Sequence, residues 1–285
     1  MGNEIQRGAL YVVATPIGNL LDITERAIKT LSEVDFIAAE DTRVSGKLMS
    51  HLGIKKPFIS YYEHNKEKAH QPIIERLKQG QSCAIITDAG TPAISDPGEQ
   101  LVRLCHDSGI KVIPIPGASA AITALSASGM PSGSFVFEGF LKEKSKERKE
   151  QLEMLSTERR TIIFYCAPHD IKTTLTQLYE AFGDREIVIA RELTKLNEEI
   201  FRTTLEQAST NPPIEKGEFV LIVGGCGEAK TDAFWQHMTI LQHVEYYTTL
   251  GESQMNAIKL CAKDRRLPKS EIYNEMVKNK DIRKE

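Results

Sequence analysis

Three times within the first 120 residues an apolar, β-prone run stops at a turn rich in glycine and proline and gives way to helical periodicity. Tyr11-Val12-Val13-Ala14 runs into Thr15-Pro16-Ile17-Gly18-Asn19-Leu20. Ile85-Ile86-Thr87 runs into Asp88-Ala89-Gly90-Thr91-Pro92-Ala93-Ile94-Ser95-Asp96-Pro97-Gly98, and Val112-Ile113-Pro114-Ile115 into Pro116-Gly117-Ala118-Ser119-Ala120. Strand, turn and helix in that recurring order restrict a chain to an α/β architecture with a largely parallel sheet. The middle connection is too long and too rich in φ-restricted residues for an ordinary strand-to-helix loop, so it reads as a ligand loop at the carboxyl edge of the sheet. All three turns offer backbone N–H groups and little side-chain bulk, so a flat or extended ligand can lie against the main chain. Neither G-x-x-x-x-G-K-[ST] nor a G-x-G-x-x-G after the first strand is present, which favours a nucleoside-type ligand over a polyphosphate.

Near-continuous apolar runs at Leu10–Ala14, Phe36–Glu40, Pro57–Tyr61, Cys83–Thr87 and Lys111–Ile115 predict a first parallel sheet covered on both faces. A second set follows at Phe135–Phe140, Thr161–Ala167, Glu186–Arg191, Ile200–Thr204 and Phe219–Gly224. Beyond Asp232 the pattern is helical only, with helices expected over Glu252–Arg266 and Lys269–Lys280 around Leu267-Pro268. The expected organisation is an N-terminal α/β domain over 8–118, a C-terminal α/β domain over 119–228 and a helical, helix-turn-helix-like tail over 232–285.

A formal net charge of -3 argues against binding nucleic acid over the whole surface and leaves room for a local basic groove. From Lys263 onward eight basic residues face five acidic ones, so the tail is locally positive. Apolar runs fall short of the ~20 residues of a membrane span, and Met1 to Arg7 lacks the apolar segment of a signal peptide. Five cysteines are scattered without metal-ligand spacing, so a cytoplasmic protein without a metal site is expected.

LYVVATPIGNLLDIT, AEDTR, SYYEHN, ITDAGTPAISDPG, VIPIPGASA, ARELTK and KGEFVLIVGG occur in this order between residues 10 and 225. Together they resemble the ribosomal RNA small-subunit methyltransferase I family, cytidine 2'-O-methyltransferases of the tetrapyrrole-methylase superfamily. The resemblance implies a two-domain α/β fold with a helical appendage, a homodimer, S-adenosylmethionine as donor and a ribose 2'-hydroxyl of small-subunit rRNA, free or in a ribosomal particle, as acceptor. Carried over by position, it implies that Ile17, Ala89, Gly90, Thr91, Ile94, Ser119, Ala120, Cys166 and Leu193 contact the donor. Thr91 stands where the superfamily usually has Asp, and Asp88 and Asp96 stand nearby as substitutes for that carboxylate. FYCAPHD replaces the commoner F-Y-E-A-P-H-R, placing Cys166 and Asp170 at the Glu and Arg positions, and Asn197 stands where a His is often found.

Polar residues at strand ends are the acceptor-side candidates. Glu40-Asp41-Thr42-Arg43 ends the second strand; either Asp41 merely caps the next helix, or Arg43 binds an RNA phosphate while Glu40 or Asp41 orients the ribose. His64 and Asn65 read either as a base contact or as a solvated loop. Lys195 in ARELTK is a candidate to pair with substrate or lower the hydroxyl's pKa. Two other functions fit parts of this pattern: a small-molecule methyltransferase of the tetrapyrrole type, and a non-catalytic ribosome-associated binding protein.

Overall fold

A computed structural model describes residues 4–227, 235, 238–265 and 267–281. The first and last residues of the expected tail, along with residue 228, lie outside the described residues. The chain divides into two compact units, 1–226 and 227–285.

The first unit holds two five-stranded sheets. Strands β1 (Ala9–Val13), β2 (Phe36–Ala39), β3 (Phe58–Ser60), β4 (Cys83–Ile86) and β5 (Lys111–Ile115) form a wholly parallel sheet in the order β3-β2-β4-β1-β5. Alternate residues of each strand face opposite sides, so one set packs with α1 (Glu25–Glu33) and α2 (Thr42–His51) and the other with α3 (Lys66–Lys78) and α4 (Gly98–Asp107). Helix α1 starts where the Thr24 side chain accepts from Ala27 N–H, and buries Ala27 and Leu31 at helical spacing. From β1 the chain leaves toward β2, and from β4 it leaves the other way toward β5. The two strands are neighbours, so their carboxyl ends frame the crevice where open α/β sheets bind ligands.

Helix α5 (Ala120–Ser128) follows β5 yet packs on the second sheet: Ala121, Ala124 and Leu125 join Ile163, Val188 and Val220. That sheet runs β6 (Phe135–Phe140), β7 (Thr161–Cys166), β10 (Phe219–Val223), β8 (Glu186–Arg191), β9 (Glu199–Thr204). Only β6 and β7 are parallel; the other pairings are antiparallel. The opposite face carries α6 (Ser145–Leu155), α7 (Ile171–Phe182) and α8 (Leu205–Thr210). The strongly charged residues 142–150 lead into α6 and form its first turns, exposed except for the half-buried Arg148.

In the second unit α10 (Gln254–Arg265) and α11 (Lys269–Asp281) match the expected helix pair. A third helix, α9 (Ile240–Thr249), adds to it, started by a capping box between Thr239 and Gln242. Its Tyr246-Tyr247-Thr248-Thr249 end has little intrinsic helix preference, and packing of Val244 against Ala257, Ile258 and Cys261 supplies what propensity does not. No described helix is long and apolar enough to cross a membrane.

His243 is fully buried in this unit. Its Nδ1 accepts from Arg265 Nε at 3.1 Å and lies 3.4 Å from Cys261 Sγ, its Nε2 lies 3.2 Å from Asp264, and its ring stacks on Trp235 and tilts against Tyr247. Burial, then the Arg265 charge, lowers its pKa below the ordinary histidine value, with Asp264 opposing. The folded pKa therefore lies below the unfolded one. Stability from the neutral imidazole is complete above about pH 6.5 and is lost as pH falls through the lowered folded value. The thermal midpoint of this unit, read from the fluorescence of the single tryptophan, should drop between about pH 7.5 and about pH 5. His243→Gln should flatten that drop; an equal drop in the variant would assign it to other groups.

Candidate active site

The three turns singled out in the sequence meet. Thr15 and Gly90 exchange two backbone hydrogen bonds (2.9 and 3.1 Å), and Thr15 Oγ1 donates to the Thr87 carbonyl at 3.1 Å. Thr91 Oγ1 donates to the Ala118 carbonyl at 3.0 Å, tying the long loop to the turn after β5. Gly90 has φ +88°, the left-handed region that favours glycine. Ala93 and Ser95 take φ of 66° and 63° without that freedom, so the loop is held by its surroundings.

These turns and the end of β2 form one wall of a cavity of about 400 Å³, lined there by Ile17, Glu40, Thr87, Ala89, Gly90, Thr91, Ile94, Ser95, Asp96, Ser119 and Ala120. The other wall comes from the second sheet: Phe140 at the end of β6, Tyr165 and Cys166 at the end of β7 with Ala167 and Pro168 just beyond, and Glu218 to Val220 at the start of β10. The Tyr165 hydroxyl accepts from Ala121 N–H at 3.3 Å, so a second-sheet side chain positions the first turn of α5. Burial raises the Tyr165 pKa and pushes the Cys166 thiol up to about 11.

Three carboxylates line the cavity, and none of its lining residues is Lys, Arg or His. Glu40 Oε2 accepts from Thr87 Oγ1 at 2.7 Å. Asp96 Oδ1 accepts from Ala93 and Gly98 N–H at 2.9 and 2.7 Å, while its buried Oδ2 has no hydrogen-bond partner among the described residues. Burial raises the Asp96 pKa against the pull of those backbone donors, and the Glu40 charge adds to the rise. Glu218 is ion-paired with Lys195 at 3.0 Å.

The other sequence candidates sit outside the lining, each for a visible reason. Leu193 is buried in the apolar cluster that also holds Ile17. Asp88 Oδ1 accepts from Asp41 N–H at 3.2 Å, and its pKa is raised by burial, then by the Glu40 and Asp41 charges. Asp41 caps α2 through Arg43 N–H at 2.8 Å and forks onto the Arg43 guanidinium at 3.1 and 2.7 Å. Those bonds hold its carboxyl down at about 2. Arg43 points that pair outward, its side chain 87% exposed. Lys195 is clamped between Glu192 and Glu218 at 2.8 and 3.0 Å; burial opposes its charge, yet the two carboxylates raise its pKa, so it stays an ammonium. Asn65 is spent on its own loop, accepting from Tyr62 N–H at 2.8 Å and donating to the Ser60 carbonyl at 2.9 Å. His64 is exposed, its ring edge-on to Tyr62.

Phe140, Tyr165, Glu218 and Phe219 were not singled out in the sequence, because strand residues of an unknown register carry no mark of which face or end they occupy. Only the FYCAP segment around Cys166 pointed to this wall.

The sequence model of the tetrapyrrole (corrin/porphyrin) methylases matches residues 9–209. A protein of Halalkalibacterium halodurans called ribosomal RNA small subunit methyltransferase I is 50% identical over 272 residues, 94% of each chain. Its Bacillus subtilis counterpart is 48% identical over 272 residues, 94% of this chain and 93% of its own. The chain belongs to the ribosomal RNA small subunit methyltransferase I family. The fold agrees with the wider superfamily. The methyltransferase CobJ superposes with a TM-score of 0.59 at 18% identity, covering 76% of this chain and 94% of its own. Uroporphyrin-III C-methyl transferase of Thermus thermophilus, in complex with S-adenosylhomocysteine, gives 0.54 at 16% identity, covering 76% and 97%.

Proposed function

We propose that this chain methylates the ribose 2'-hydroxyl of a cytidine in small-subunit rRNA with S-adenosylmethionine, as a cytoplasmic homodimer. The observation that carries the reading is the composition of the cavity. Three carboxylates and no cation line a space within the usual size of a small-molecule site, at the switch point of a parallel sheet. Such a lining suits a cationic nucleoside and repels a polyphosphate. It also disfavours the carboxylate-rich macrocycles of tetrapyrrole chemistry as acceptors. An RNA needs to bring only its neutral ribose inside, with its phosphates left at the rim.

S-adenosylmethionine supplies a methyl group already activated on a sulfonium. The residues that fit it are those whose small side chains leave the backbone open, Ala89, Gly90, Ser119 and Ala120, with Ile17, Thr91, Ile94 and Cys166 around them. What remains for the protein is alignment of the two substrates and removal of the hydroxyl proton. Glu40 suits proton removal, since it lines the cavity and Thr87 fixes one of its oxygens. Asp41 is too firmly ionised to serve, and Lys195 holds its proton too tightly.

Arg43, exposed and three residues beyond Glu40, fits a phosphate contact. Arg43→Ala should weaken RNA binding several-fold and leave donor affinity within about twofold, because a phosphate contact acts on the acceptor alone. A collapse of donor affinity in calorimetry would move Arg43 to the donor side. Mapping 2'-O-methyl positions in rRNA from cells with and without the gene tests the activity itself. One cytidine should lose its mark, and an unchanged map would overturn the reading.

A further inference from the structure

The rim of the cavity carries a large aromatic ring that is only partly covered. Phe140 is 55% exposed although it sits in a strand whose other phenylalanines, Phe135 and Phe137, pack into the second sheet's core. Simple alternation would turn Phe140 to the face of Glu138, which bonds to Gln151 of α6. A bulge prevents this. The register with β7 shifts between Phe137 and Gly139, so that Phe140 pairs with Tyr165 and returns to the face of Phe137. Both phenylalanine rings meet the Tyr165 ring edge-on, at 5.1 and 5.6 Å. Gly139 makes the bulge possible with φ +66°, and a Cβ there would stand 2.8 Å from Ser95 Oγ on the opposite wall. Bulges next to active sites characteristically re-aim one side chain, and this one re-aims Phe140 into the mouth.

The chain that follows is held in place and cationic. Gln151 accepts from Lys142 N–H at 3.0 Å, and Arg148 donates to the Lys142 carbonyl at 2.6 Å and to Gln177 at 3.3 Å. Lys142, Lys144, Lys146 and Lys149 are all exposed. Their only ion pairs among the described residues, Lys144–Glu147 and Lys146–Glu150, are solvent-exposed and easily exchanged for phosphate.

Resting on the methyltransferase reading above, we infer that Phe140 stacks the base of the acceptor nucleotide while the lysines at the start of α6 hold the flanking phosphates. An aromatic face accepts any base and orients its ribose, and the adjacent cations follow the backbone of a single strand. The polar wall formed by Glu40 and Asp96 then lies on the ribose side.

The test uses the full chain, a fluorescein-labelled single-stranded RNA oligonucleotide read by anisotropy, S-adenosylmethionine read by calorimetry, and methylation of small subunits lacking the mark. Phe140→Ala and Phe140→Leu should weaken RNA binding and raise KM for subunits by about tenfold to a hundredfold. Phe140→Trp should restore both, which a merely space-filling role would not require. Donor affinity should stay within about twofold in all three. The double variant Lys144→Glu, Lys146→Glu should flatten the slope of log affinity against log salt by about 1.4, at about 0.7 per single-strand phosphate contact. Wild-type RNA affinity in Phe140→Leu, or a donor affinity that falls as far as RNA affinity, would overturn the inference and leave the methyltransferase reading standing. A wild-type chain that neither binds RNA nor methylates subunits would overturn both.

Discussion

Glu40→Gln should lower kcat for methylation of small-subunit RNA by about a hundredfold or more, the range expected when a general base is lost. Glutamine keeps the size of the side chain and its hydrogen bond to Thr87, so the fold and the cavity shape should survive. What it removes is an oxygen able to take the hydroxyl proton. Donor affinity should change by less than about threefold, and KM for RNA should move little, since the loss falls on the transition state alone. Single-turnover methyl transfer beside a calorimetric titration separates these quantities. Retention of the full rate would remove Glu40 from the chemistry and leave Asp96, the other carboxylate on that wall, as the next candidate.

Gly90→Val should cut donor affinity at least tenfold, about 1.4 kcal/mol. A first side-chain carbon at this position would stand 3.4 Å from Ile17 Cγ2 and 3.8 Å from the Ala118 carbonyl, so space alone does not forbid it. Conformation does. At φ +88° a β-branched residue is strained, and an L-residue in the left-handed region costs roughly 1–2 kcal/mol. The loop relieves that strain by turning away from Thr15, breaking the paired backbone bonds that hold the β1 and β4 turns together. Gly90→Ala should show the same effect at smaller size. A folded Gly90→Val protein that titrates with unchanged affinity would show that the donor does not lie along this loop.

Much of the first half of the fold is legible in the chain because parallel strands buried on both faces leave continuous apolar runs. All five appear in the sequence within a residue of where the structure puts them at either end. The three turns were legible for a related reason: glycine and proline mark places where the backbone itself must do something unusual, and these turns meet at one cavity. The second half was less so. Its strands are recognisable, but nothing local says that four of the five pair antiparallel, or that β10 inserts between β7 and β8. Pairing order depends on contacts between residues far apart in sequence.

The candidate site divides in the same way. The glycine-rich turns follow from local chemistry, while the residues that the family resemblance marks, Ile17, Ala89, Gly90, Thr91, Ile94, Ser119 and Ala120 on that wall and Cys166 on the other, all line the cavity. Polar residues are harder to place, because a charge can serve a ligand or a neighbour and the sequence shows only the charge. Asp41 turns to Arg43, Lys195 to Glu192 and Glu218, and Asn65 to its own loop, whereas Glu40 faces the cavity. Phe140 is the sharpest case. An alternating strand pattern assigns it to the wrong face, and one glycine in the left-handed region reverses that assignment through a bulge that exists only once β6 has paired with β7. The sequence by itself determined an α/β chain with a long glycine- and proline-rich loop at a strand end, since hydrophobic period and backbone restriction act over a few residues. Which charges stay available and which aromatic ring faces the cavity were decided by tertiary structure, because both depend on partners brought together only when the two sheets form.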